Sequence, residues 1–264
     1  MSETTGIQWT DATFNPWWGC TKVSPACDHC YAERDAKRYA SDMVLWGDGS
    51  MRRTFGEKHW QQPIAWNKRA ERAGKRLRVF CASMADVFDK EGPEDERKRL
   101  WATIAATPWL DWQLLTKRIG NVAHMVPPRW MTEGWPANVQ LGISVVTQGE
   151  LERDLPKLRA LSPRIAFLSC EPLLEPINLL PHLHFGGLDW VIIGGESGPG
   201  ARPFDPQWAL DLVRQCQLGG AWVFVKQMGA RPVGMKLRDR KGGDASEWPV
   251  DLRVRETPIV AKLS

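Results

Sequence analysis

The chain has 264 residues, of which 43% are hydrophobic and 25% charged, and its formal net charge is +4. This is the composition of an ordinary globular protein with a core large enough to need no disulfide bonds. No apolar run approaches the roughly 20 residues that span a bilayer, and the polar start MSETTGIQWT lacks the features of a signal peptide. We therefore expect no membrane partner and a cytoplasmic location, where clustered cysteines bind metals or take part in catalysis.

The predicted elements alternate short apolar runs with longer amphipathic segments. A weak first strand lies around residues 13–18, where Pro16 interrupts it, and residues 42–62 lack periodicity and are predicted to form an insertion or lid. The clear strands are nearly continuous in apolar residues, which is typical of parallel strands buried on both faces. They are 78–83, 112–116, 139–146, 164–170, 190–195 and 221–227.

The intervening segments carry helix start and stop signals. Acidic residues follow Pro93, and Asp205 with Pro206 opens a helix that ends at Gly220. Pro156 should bend the helix of residues 148–161 or delay its start. Strands and helices in alternation imply right-handed βαβ units. We predict one α/β domain over residues 1–264, a partial or irregular (βα) barrel of six to seven parallel strands, with an irregular tail at 230–264.

Two sets of polar residues mark candidate sites. Residues 66–78, WNKRAERAGKRLR, form either a solvated helix face with a basic loop or a surface that contacts nucleic-acid phosphates. Polar residues also end six successive strands, and in parallel α/β folds the site forms at these strand ends. The strand-end residues are Ser83, Asp86, Thr116, Lys117, Arg118, Ser144, Ser169, Cys170, Glu171, Glu196, Ser197, Lys226 and Gln227.

Three cysteines in WWGCTKVSPACDHCYAER, Cys20, Cys27 and Cys30, are one thiolate short of a closed metal site. Structural zinc requires four ligands, and no second cysteine pair or spaced histidine pair supplies the fourth. A 4Fe–4S cluster held by three cysteines fits the pattern better and leaves one iron open. S-adenosylmethionine can bind such an iron through its amino and carboxylate groups. Zinc and a disulfide remain the alternatives.

The cysteine loop and its surroundings resemble a known class of enzymes. The matching stretches include GIQWTDATFNPWWGC, CxxCYA, ASMADVF, LLTKR, LGISV, SCEPLL, VIIGGESG and FVKQMG, over residues 6–229. With them the chain resembles radical S-adenosylmethionine enzymes. More closely, it resembles a bacteriophage-associated radical-SAM-like family that is distantly similar to spore photoproduct lyase. The usual spacing in radical S-adenosylmethionine enzymes is Cys-x3-Cys-x2-Cys, whereas the first gap here has six residues.

The resemblance implies roles for several residues. Ser83 or Asp86 would bind the methionine amino group of S-adenosylmethionine, Ser144 its ribose or carboxylate, and His29 would stack near the adenine. Lys117 and Arg118 could pair with the carboxylate. Independently of the resemblance, Glu196 in GGESGPG and Glu171 could bind substrate or accept a proton, although a plain tight turn explains GGESGPG equally well. Cys170 is expected to be an inert core residue or, at a barrel mouth, a hydrogen donor.

The leading functional hypothesis is a radical S-adenosylmethionine enzyme that generates a 5′-deoxyadenosyl radical. The substrate would be a nucleic-acid base, for example in a bacteriophage-type thymine hypermodification or isomerisation, and the electron donor a flavodoxin or ferredoxin. One alternative is a repair lyase that acts on DNA photolesions. Another is a non-catalytic DNA-binding protein stabilised by a metal.

Overall fold

The computed structural model describes residues 5–40, 42–183 and 186–258. Contacts divide the chain into two compact units. Unit 1 comprises residues 1–143 and 160–164, and unit 2 comprises residues 144–159 and 165–264. None of the helices within the described ranges is both long enough and apolar enough to span a membrane.

Unit 1 is built on parallel strands that pair in the order of the chain, β1 with β2, β2 with β3 and β3 with β4. The strands are β1 (Ala12–Thr13), β2 (Leu77–Cys81), β3 (Leu110–Thr116) and β4 (Val139–Ser144), whose last residue belongs to unit 2. The helices are α1 (Tyr31–Tyr39), α2 (Glu57–Arg72), α3 (Glu94–Ala105), α4 (Val122–Met125) and α5 (Pro128–Thr132). Every residue of β4 is buried, as expected for a parallel strand covered on both faces.

Unit 2 repeats the same organisation. Its strands are β5 (Ala166–Cys170), β6 (Trp190–Gly194) and β7 (Trp222–Gln227), and β6 pairs in parallel with both neighbours. Its helices are α6 (Gln148–Ala160), whose last residue belongs to unit 1, α7 (Leu180–Leu183) and α8 (Pro206–Gly219). The described residues form seven strands whose assigned pairs are all parallel, and the predicted α/β class of six to seven parallel strands is confirmed.

The capping signals act as the sequence suggested, with one exception. The Asp205 side chain accepts a 2.9 Å hydrogen bond from the Gln207 amide at the start of α8, and Gly220 ends that helix with φ +74°. Pro156, however, lies inside a continuous α6 that starts at Gln148, so it does not delay the helix.

Two predicted irregular segments contain some regular structure. α2 starts at Glu57, inside the predicted insertion of residues 42–62. The described part of the predicted tail contains two short 3-10 turns, Ala245–Glu247 and Val250–Leu252, and residues 259–264 lie outside the described residues.

Candidate functional site

The first cysteine forms backbone hydrogen bonds through both its amide and its carbonyl group. The Cys20 amide donates to the Leu45 carbonyl at 3.2 Å, and the Cys20 carbonyl accepts from the Gly47 amide at 3.0 Å. One residue earlier, the Gly19 amide donates to the Met84 carbonyl, which follows β2. Residues 45–47 and the chain after β2 therefore fix the position of Cys20.

The other two cysteines lie at the end of a 3-10 turn and at the start of α1. Cys27 ends a short 3-10 turn that Ser24 caps by accepting from the Ala26 amide, and Cys27 is buried. Cys30 is the N-cap residue of α1 and is half-buried. The predicted adenine-stacking residue, His29, is exposed between them.

Arg118 and Asp86 form a buried ion pair beside Cys20. Arg118 Nη1 lies 3.0 Å from Asp86 Oδ2 and 3.6 Å from Cys20 Sγ, and each of the two charged side chains is 8% exposed. Arg118 Nη2 donates to the carbonyl oxygen of Thr21 at 2.7 Å and to its hydroxyl at 2.6 Å. Burial lowers the pKa of the Arg118 guanidinium, but Asp86, Cys20 and Asp89 together raise it above the usual value. Arg118 therefore links the end of β3 to the cysteine loop as a permanent cation.

Asp86 connects the ends of β2 and β3. Its carboxylate accepts hydrogen bonds from the Thr116 hydroxyl at 2.9 Å and from the Lys117 and Phe88 amides at 3.0 Å, besides that from Arg118. A carboxylate with this many protein donors is already satisfied. The structure therefore places Asp86 as a residue that organises the strand ends, and cofactor binding by Asp86 stays a prediction.

Asn15, which was not among the candidate residues predicted from the sequence, has a similar role just after β1. Asn15 Oδ1 accepts from the Met84 amide at 2.7 Å, and Asn15 Nδ2 donates to the Ser83 hydroxyl at 3.1 Å. The Asn15 carbonyl also lies 2.8 Å from His59 Nε2 of α2. The sequence did contain a signal for this role, because Asn15 is a side-chain amide between Phe14 and Pro16 in an apolar stretch. A buried amide of this kind requires hydrogen-bond partners.

A cleft opens next to Arg118 in unit 1. It has a volume of about 380 Å³, and its walls carry charges of both signs, so it suits a ligand that has both an ammonium and a carboxylate group. The lining residues are Thr21, Val23, Asp89, Lys90, Glu91, Arg118, Gly120 and Asn121.

The loop cysteines have the donor chemistry of an iron–sulfur or zinc site, but they do not form a closed group. All six cysteines are free thiols. Across residues 5–40, 42–183 and 186–258, no three ligating side chains are arranged to hold a metal ion. Burial and the Asp86 carboxylate raise the pKa of the Cys20 thiol to about 11. A cluster would therefore have to draw the three thiols together as it binds.

Thiol accessibility gives a first prediction. Burial raises the pKa of Cys81 and Cys170 well above the usual value, and both side chains are fully buried. A raised pKa leaves less of the reactive thiolate at neutral pH. We expect iodoacetamide at pH 7.5 to label Cys30 at least ten times faster than Cys81 or Cys170, measured by peptide mass spectrometry. Equal labelling in the folded protein would contradict the burial of the strand thiols.

The remaining strand-end candidates lie in unit 2. Ser144 and Cys170 are buried, and Glu171 at the end of β5 forms a hydrogen-bonded ion pair with Lys226 of β7. Glu196 is buried and accepts from the Arg202 guanidinium at 2.6 Å. The structure thus brings Glu171 together with Lys226, whereas Glu196 pairs separately with Arg202.

The turn that contains Glu196 has a packing reason for its glycines. A Cβ on Gly195 would lie 2.4 Å from the Met228 carbonyl oxygen, and one on Gly229 would lie 2.7 Å from the Glu196 carbonyl oxygen. Only glycine allows the two backbones to approach this closely. The close approach accounts for these glycines without a phosphate ligand.

The basic segment lies at the opposite edge of the unit 1 strands. Arg76 pairs with Asp111 at 2.5 Å and Arg78 with Asp11 at 2.8 Å, near the amino-terminal ends of β2 and β3. These two arginines are therefore engaged in ion pairs within the protein. The exposed basic residues are Lys68, Arg69, Arg72 and Lys75.

Comparisons with known proteins give one family and one distant structural likeness. A family model described as a protein of unknown function (DUF5131) matches residues 4–248, and none of the curated proteins matches the chain. A solved structure of a spore photoproduct lyase mutant is similar with a TM-score of 0.45 and 13% identity, covering 86% of this chain. The chain spans about 60% of the length of that structure.

Proposed function

The chain belongs to the DUF5131 family of proteins of unknown function, and we propose that it is a radical S-adenosylmethionine enzyme with a 4Fe–4S cluster. Cys20, Cys27 and Cys30 would hold the cluster. The observation that carries the proposal is a loop of three free thiols whose first sulfur lies 3.6 Å from a buried guanidinium. Three thiolates bring negative charge to a partly buried place, and a fixed cation offsets part of it.

The cleft beside Arg118 supports the proposed cofactor. Its basic residue Lys90 suits the carboxylate of S-adenosylmethionine, and its acidic residues Asp89 and Glu91, which also pair with Arg52, suit the amino group. With the cluster in place, the chemistry supplied is one-electron cleavage of a carbon–sulfur bond followed by hydrogen abstraction from a substrate. In unit 2, Glu171 and Lys226 supply a half-buried acid–base pair that can bind a polar substrate group or accept a proton.

For the substrate we propose a base of a nucleic acid, in a reaction of the bacteriophage base-modification type. The exposed basic end of α2 supports nucleic-acid binding. This basic end lies near the amino-terminal end of β2, and the length of a five-residue β-strand, roughly 16 Å, separates it from the carboxyl end. A bound nucleic acid of about five nucleotides spans that distance. The proposed electron donor is a flavodoxin or ferredoxin, and the proposed location is the cytoplasm.

Anaerobic reconstitution with iron and sulfide tests the proposal. We expect the wild-type protein to bind about four irons per chain and, after reduction with dithionite, to cleave S-adenosylmethionine to 5′-deoxyadenosine. Cys27→Ala should lose at least nine tenths of the iron, because a cluster with two ligands is not held. Iron analysis, electron paramagnetic resonance and chromatography of the products provide the readouts.

The matched control is Cys216→Ala, which removes a buried thiol of α8 that has no place in the loop. It should bind as much iron as the wild type. A colourless protein loaded with zinc, or equal iron in the Cys27→Ala variant, would refute the proposal. Offering irradiated and undamaged DNA side by side then separates base modification from photolesion repair by nucleoside mass spectrometry.

A further inference from the structure

We propose that Arg118 is a positioning residue for the first cysteine, which fixes the Cys20 sulfur and raises the reduction potential of the cluster bound there. This inference rests on the proposed function, because it concerns the same three-cysteine site. It differs from the role that the resemblance implies for Arg118, which is to bind the carboxylate of S-adenosylmethionine.

The contacts of the guanidinium support the positioning role. Arg118 Nη1 is shared between Asp86 and the Cys20 sulfur, and Nη2 is shared between the carbonyl and hydroxyl oxygens of Thr21. The hydrogens of both terminal nitrogens therefore already point at acceptors in the protein. Direct binding of a carboxylate ligand by these nitrogens would break one of these bonds, whereas holding the cysteine loop uses all of them.

The backbone of Arg118 is fixed as well. Its amide donates to the Thr116 hydroxyl at 2.8 Å, and that hydroxyl donates to Asp86 at 2.9 Å. The Arg118 side chain thus starts from a fixed backbone position at the end of β3, and it is 8% exposed. A charge held in this way keeps its distance to the Cys20 sulfur, which is the condition for a constant electrostatic effect.

The electrostatic effect has a definite sign. One-electron reduction of a 4Fe–4S cluster adds one negative charge, and a cation or hydrogen-bond donor next to a ligand sulfur stabilises the reduced form. Arg118 lies 3.6 Å from the Cys20 sulfur, and partial burial weakens the screening by water. The carboxylates of Asp86 and Asp89 act on the Cys20 sulfur in the opposite sense, but both remain when Arg118 is replaced. Removal of Arg118 should therefore make the cluster harder to reduce.

The test compares Arg118→Gln and Arg118→Lys with a second buried arginine of unit 1. Arg97 is 7% exposed and donates to the backbone carbonyls of Val87, Asp89 and Gly92. These bonds make it structural. Potentials of the reconstituted proteins are measured by redox titration with electron paramagnetic resonance. Exchange of amide hydrogens in residues 18–24 is measured on the metal-free proteins.

We expect Arg118→Gln to shift the midpoint potential to a more negative value and to speed exchange in residues 18–24 at least tenfold. Arg118→Lys, which keeps the charge with fewer donors, should speed exchange with a smaller shift of the potential. Arg97→Gln should leave the potential at the wild-type value. A merely structural role for Arg118 would change exchange but not the potential.

The outcomes separate the two proposals. A wild-type protein that binds no cluster refutes the proposed function and with it the effect on the potential, while the exchange measurement still tests positioning. A cluster-loaded Arg118→Gln variant with the wild-type potential overturns the inference. If Arg118→Gln does not fold but Arg118→Lys does, the inference is overturned when Arg118→Lys exchanges the amide hydrogens of residues 18–24 at the wild-type rate.

Discussion

Replacement of Asp86 by alanine is expected to lower the free energy of unfolding by about 3–5 kcal/mol, the range for breaking a buried ion pair. The loss leaves the Arg118 guanidinium buried without its nearest carboxylate, which lies 3.0 Å away in the native protein. It also removes the acceptor for the Thr116 hydroxyl and for the Lys117 and Phe88 amides. Urea denaturation followed by tryptophan fluorescence measures the change.

Two further variants define the origin of that loss. Asp86→Asn keeps an oxygen acceptor but removes the charge, so it should cost less than alanine. Asp35→Ala removes a half-exposed carboxylate of α1 whose partner, Arg34, is 3.6 Å away at the surface, and such pairs contribute about 0–1 kcal/mol. A loss of less than about 1 kcal/mol for Asp86→Ala would show that Asp86 does not organise the strand ends.

The fold was largely predictable because its strands are buried on both faces. Runs such as WVIIGG and VQLGISVV bury so many apolar side chains only in a parallel sheet that is covered on both faces. The structure has β6 at Trp190–Gly194 and β4 at Val139–Ser144. The sequence located each strand to within two residues, apart from the weak first strand. The first strand was predicted around residues 13–18, whereas β1 covers only Ala12–Thr13, because so short a strand leaves little apolar pattern in the sequence.

The arrangement of the site was much less predictable. The sequence identified Arg118 as a polar residue after a strand, but its acceptors on Thr21 are 97 residues away along the chain. Likewise, residues 42–56 contain no periodic pattern that would predict the backbone hydrogen bonds of Leu45 and Gly47 with Cys20. Side-chain and loop contacts of this kind depend on three-dimensional proximity, so composition and spacing gave the candidates but not their partners.

Gly19→Ala is expected to be the most damaging single methyl addition in the cysteine loop. Gly19 has φ +120°, and a Cβ there would lie 2.5 Å from the Leu45 carbonyl oxygen and 2.8 Å from Arg52 Cδ. The backbone conformation costs an L-residue about 1–2 kcal/mol, and overpacking against fixed backbone adds about 1–3 kcal/mol. We expect a loss of about 2–5 kcal/mol by urea denaturation.

The same substitution should also impair metal binding, since Gly19 precedes Cys20 and its amide bonds to the Met84 carbonyl. Gly49→Ala is the matched control. Gly49 also has a positive φ, +67°, but a Cβ there meets nothing within 4 Å, so only the conformational cost of about 1 kcal/mol remains. Equal losses in the two variants would mean that residues 45–52 yield to the added methyl group. The backbone pairing with residues 45–47 would then be too compliant to fix the first cysteine by itself.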